Sequence, residues 1–145
     1  MPNPSITNQS KLGASYGPDI ANGYDILASQ PVLQETGGTL TTDGNVQVLW
    51  VANAPMSTFE PRVLYIDLDD MVALDSLDVR VYYRIAPGGG WALYDMANYL
   101  GADGGLANGV TMIAIEFLPC RFGVEVTVQQ TVGAADLPWS VIEEL

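Results

Sequence analysis

Beyond Gly37-Gly38 the apolar residues fall in short β-branched and aromatic runs, often alternating with polar residues and cut by turn residues. That period of two predicts strands, and a chain of many short strands predicts a sandwich or barrel. Strands are predicted at about 24–34, 46–53, 62–68, 78–86, 91–96, 110–118, 122–130 and 138–143. Asp78-Val-Arg-Val-Tyr-Tyr-Arg-Ile85, the Pro87-Gly-Gly-Gly90 turn and Trp91 to Met96 read as a hairpin. Val79, Val81 and Tyr83 share one face of it, with Arg80, Tyr82 and Arg84 on the other. In Phe122 to Gln130 the alternation turns Val124, Val126 and Val128 inward and Glu125, Thr127 and Gln129 toward water or a neighbouring chain. Thr111 to Leu118 is apolar without a break, as a central strand covered on both faces would be. Asp95 to Leu100 reads as one helical turn.

The segment from Met1 to Gly38 differs in texture. It is rich in Asn, Ser, Gly and Pro, and Pro2, Pro4, Gly13, Gly17, Pro18 and Gly23 break any regular helix. The division expected is an extended N-terminal arm over 1–38 and an antiparallel β-sandwich, jelly-roll or immunoglobulin-like, over 39–145. Ile6, Leu12, Tyr16 and Ile20 are spaced like anchors for shallow pockets, which makes the arm a candidate to lie on a neighbour.

Composition narrows the partners. The 145 residues suffice for one domain with a sizeable core, and 48% are hydrophobic against 15% charged. Five Lys+Arg face seventeen Asp+Glu, a net charge of −12 that repels phosphate backbones and anionic lipid. Neither nucleic acid nor membrane insertion is expected. The first ten residues hold no basic and apolar signal-peptide pattern, and no apolar run is long enough to span a bilayer. Cys120 is the lone cysteine, which excludes an internal disulfide.

Candidate chemistry is sparse. Without a histidine the chain lacks the usual general base near neutral pH and every Ser-His or Cys-His pair. Lys11 is the only lysine, and the glycine runs at 88–90 and 101–105 lack the Lys-Ser/Thr of a phosphate loop. No enzyme is expected, and no catalytic residue or cofactor is assigned. The acidic run Asp67 to Asp78 offers Asp67, Asp69, Asp70 and Asp78 as calcium candidates. Its spacing is not that of an EF-hand, because Met71 stands where an oxygen ligand is wanted and Val72 where glycine is needed. The leading reading of this run is a solvated loop.

Trp50, Trp91 and Trp139, with Tyr65, Tyr82, Tyr83, Tyr94 and Tyr99, fit either core and interface filling or a sugar-stacking platform. Leu137 to Leu145 places Trp139 and Val141 in register for an edge strand, which must be covered or paired, and both join the interface candidates.

The arm, the Val79 to Met96 hairpin, the Val124 to Gln130 strand and the apolar terminal strand together resemble small all-β virion structural proteins of the capsid decoration, cement or spike-base type. The resemblance implies a sandwich that oligomerises, with a trimer among the candidates, and clamps neighbours with its arm. It implies a virion location, with further copies and other virion proteins such as a capsid protein as partners. The alternative is an adhesin-like module that binds carbohydrate or a surface.

Overall fold

Nine strands build two antiparallel sheets in the computed structural model, which describes residues 32–53, 60–120 and 122–145. In chain order they are β1 (Leu33–Thr41), β2 (Gln47–Asn53), β3 (Glu60–Asp67), β4 (Ser76–Tyr83), β5 (Ala92–Ala102), β6 (Gly105–Leu106), β7 (Met112–Glu116), β8 (Gly123–Val132) and β9 (Asp136–Glu144). The first sheet runs β1-β9-β3-β7 and the second β2-β8-β4-β5-β6. All belong to one compact unit, Leu33–Leu145. No described residue is helical.

The pairing is nested. Strand β1 pairs with β9, β2 with β8, β3 with β7 and β4 with β5, so the chain is one long hairpin rolled over itself. That order of eight main strands in two sheets is the jelly roll, and it decides between the two sandwich types expected.

Alternation explains the core. Leu77, Val79 and Val81 on β4 and Val124, Val126 and Val128 on β8 point inward, as the period of two predicts, and meet Leu64, Ile66, Leu137 and Val141 of the first sheet. Each such aliphatic side chain contributes roughly 1.5–3 kcal/mol when fully buried. Trp50, Tyr83, Tyr99 and Trp139 pack against this layer half-buried, and Trp50 lies 5.5 Å from Phe117.

Three expectations about strands are corrected. Asp95 to Leu100 is not a helical turn but the middle of β5, because β4 offers it a ladder from Ser76–Leu100 to Tyr83–Ala92 and that pairing overrides the helix propensity of Met, Ala and Leu. Met112–Glu116 is not a central strand. It is an edge, with Ile113 and Ile115 turned to the core while Met112, Ala114 and Glu116 stand exposed. The terminal strand is not an edge, since β9 lies between β1 and β3, and Pro138 is tolerated because pairing with β3 begins only at Trp139.

Strand β1 also reaches back into the segment read as arm: residues 33–38 pair with Glu144 through Trp139. Only the last two residues of the strand expected at 24–34 fall in a described strand. Residues 24–31 lie outside the described residues, as do Ile6, Leu12, Tyr16 and Ile20.

Candidate interaction surfaces

The four calcium candidates do not converge. Asp67 closes β3 and accepts the Asp69 N–H at 2.9 Å, while Asp70 accepts the Asp136 N–H at 2.7 Å and so ties the β3–β4 loop to β9. Asp78 lies in mid-strand on β4, where it accepts from Asn98 Nδ2 at 2.7 Å and faces Arg80 at 3.6 Å. Among the described residues no three acidic, cysteine or histidine side chains are grouped to hold a metal. Among the described residues the acidic one that is buried is Asp75, whose carboxylate accepts the Val72 N–H at 2.9 Å and lies so close to Gly133 that no side chain fits there.

The interface candidates on β9 also part company. Val141 is fully buried and fills the core of its own chain. Trp139 is half-buried, with its indole over Gly38, where a Cβ would sit 3.5 Å from the ring. The aromatic residues make no common platform. Tyr83 stacks edge-on against Tyr94 at 5.2 Å, the Arg84 guanidinium lies 4.1 Å over Trp91, and Tyr65 stands on the other sheet.

Charge is distributed along the strand axis. The connections 42–46, 68–75, 103–111 and 133–135 meet at one end and contain Asp43, Asp69, Asp70, Asp75 and Asp103 with no lysine or arginine. The connections 84–91 and 117–122 contain Arg84 and Arg121 and no carboxylate.

Two outward sheet faces hold what sequence reading missed. On the second sheet the stripe Leu93, Met96 and Leu100 is more than half exposed, beside a nearly neutral set of Asp78, Arg80 and Glu125. Its outer edge is blunted: Tyr94 is an extra residue in the β4–β5 ladder, Asp95 takes the Met96 N–H at 2.9 Å, and β6 covers Gly101 and Ala102. On the first sheet Tyr65, Asp67, Met112, Pro138, Trp139 and Ser140 line a shallow groove of about 190 Å³. The signal was present as parity, because residues one step off the buried ones must face out.

No known protein family matches the chain, and no curated protein does. Similar solved structures include PirA, 13% identical with a TM-score of 0.48, covering 75% of this chain and 93% of that one. The Yersinia pseudotuberculosis-derived mitogen is 12% identical with a TM-score of 0.45, over 77% of this chain and 86% of its own. The VP2 subviral particle of infectious bursal disease virus is 11% identical with a TM-score of 0.48, over 81% of this chain and 33% of its own. Likeness at this level passes no activity to this chain.

Burial also sets the chemistry of the two groups nearest the 117–122 connection. It pushes the Cys120 thiol above its ordinary value, helped by the Glu60 charge, so this cysteine is a poor nucleophile. It raises the Tyr83 phenol too, against the opposing effect of the hydrogen bond that Tyr83 Oη accepts from Leu118 N–H at 2.9 Å.

Proposed function

We propose that this chain is a non-enzymatic structural protein of a virion, a capsid decoration, cement or spike-base component that works by assembling with its own copies and with other virion proteins. The observation that carries this reading is the surface of the jelly roll: among the described residues more large apolar side chains stand exposed than fill the core, and several align along one strand as Leu93, Met96 and Leu100. Asn98 stands between Met96 and Leu100 on this face, and an exposed apolar row of this kind on a sheet has the character of a protein contact. Jelly rolls serve in viral capsids and in lectins, so the fold is compatible with the reading without deciding it.

The stripe suits a second copy because its surroundings are nearly neutral. Molecules of net charge −12 repel one another at most other approaches. In this reading the arm, with Ile6, Leu12, Tyr16 and Ile20, clamps a neighbour.

The groove at Tyr65 favours a second reading, a carbohydrate-binding module, since an exposed aromatic face packs on sugars and Asp67 and Ser140 supply hydrogen-bonding groups. Sedimentation of the native protein separates the two. A virion component travels with a large regular particle or as a homo-oligomer, whereas a monomer that is retained on immobilised glycans would replace the assembly reading with the lectin one.

A further inference from the structure

The outward face of the first sheet is apolar at its centre and acidic around it. Pairing places Tyr65 between Ser140 and Ala114, Val63 between Ile142 and Glu116, and Met112 beside Asp67, all on the side away from the core. Tyr65 is 36% and Met112 51% exposed, and with Pro138 they continue the groove into a flat apolar strip. Asp67 and Asp136 border this strip at one end, and Glu35, Glu60, Glu116 and Glu144 at the other. Among the described residues Arg62 is the sole cation there, and Glu144 holds it at 2.6 Å with Glu60 at 3.8 Å.

From this arrangement we infer that the outer face of the β1-β9-β3-β7 sheet docks a basic, apolar-centred protein segment, one that seats apolar side chains on Tyr65 and Met112 and sets Lys or Arg against the surrounding carboxylates. Charge selects this occupant. A second copy of a −12 chain would bring its own carboxylates against six others on this face, whereas a basic partner gains at both ends of the strip. The apolar centre supplies affinity and the acidic border supplies orientation and encounter rate. The two sheets thereby divide the work: the near-neutral face of the second takes copies of the chain, and the acidic face of the first takes a partner of opposite charge. The inference deepens the assembly reading above and rests on it.

Titration of the full chain with a synthetic peptide of alternating leucine and lysine, beside a lysine-only peptide of equal charge, tests it. Tyr65→Ser with Met112→Ser should weaken the alternating peptide by about tenfold or more and leave the lysine-only peptide unchanged, as expected for two centrally placed anchors. Glu35→Gln with Glu116→Gln should weaken both peptides, with the loss shrinking at high salt. Amide shifts of the unmodified chain should map to β3, β7 and β9, which keeps the test decisive if a variant folds poorly. A change within about twofold for the serine pair, or shifts confined to 68–75 and 103–111, would overturn the inference, because attraction would then be to net charge alone. It also fails if the serine pair lowers sedimentation of the protein by itself, which would make the occupant a second copy. Peptide binding that survives while the unmodified chain proves monomeric would support this face and count against the assembly reading alone.

Discussion

Thr127 shows how little parity says about depth. It points outward on β8, as alternation predicts, yet it is only 5% exposed between Arg80 and Val48, and its hydroxyl has no partner among the described residues. A buried, unpaired hydroxyl costs stability that an isosteric methyl does not. Thr127→Val should therefore gain about 1 kcal/mol, seen as a rise of roughly 3 °C in Tm; an unchanged or lower Tm would mean the hydroxyl is satisfied after all. The phenols give a second residue-scale expectation. Burial raises Tyr83 and Tyr99 above the ordinary tyrosine value, and the Asp95 charge raises Tyr99 further. In the unfolded chain they ionise near pH 10, so above that pH the unfolded state binds fewer protons than the folded one and stability falls toward the folded pKa. Below pH about 10 their contribution is complete. Thermal unfolding followed from about pH 9 to 11 should show a shallower decline in Tyr83→Phe and Tyr99→Phe than in the unmodified chain, even though losing the Leu118 contact lowers the starting Tm of the first.

At the scale of elements, β1 makes the boundary of the arm testable. Its nine residues pair along the whole of β9, from Asp136–Thr41 to Glu144–Leu33. Removing residues 1–32 leaves that ladder intact and should leave a folded domain that no longer joins its assembly. Removing 1–38 takes away the stretch opposite Trp139 to Glu144 and uncovers an edge of β9. The longer truncation should melt several degrees lower by circular dichroism; equal melting of the two would show that the β1 pairing contributes little. Gly37 sits within this ladder because a Cβ there would lie 2.7 Å from the Trp139 carbonyl oxygen. Only glycine allows β1 to approach β9 so closely at that point.

At the scale of the molecule, the separation of a near-neutral face from an acidic one predicts where copies meet. Met96→Glu with Leu100→Glu puts two further charges on the stripe of the second sheet, away from the core and from the first sheet. The pair should leave the folded state intact and shift the protein toward monomer in a sedimentation-velocity experiment, with the effect partly reversed at high salt. Retained oligomerisation would place the self-contact elsewhere, the acidic end being the least favourable choice for like-charged copies.

The sequence by itself determined the class of fold and the inward residues of β4 and β8. A period of two is a local property, and the alternation at Val79 to Tyr83 and Val124 to Val128 leaves a strand one way to hide its apolar side. Absence of histidine and the acidic balance were likewise legible, since they need no partner in space. Tertiary structure decided what depends on neighbours. Whether Met112–Glu116 is central and Asp136–Glu144 an edge is set by which strands lie beside them, and the rolled hairpin brings β9 between β1 and β3 across about 100 residues of chain. The same rolling set Asp70 against the Asp136 N–H and Asp78 against Asn98, partners that adjacency in sequence does not indicate, and drew Tyr65, Met112 and Pro138 together from three strands. Proximity in a sheet comes from register between distant segments, and no stretch of sequence carries that register alone.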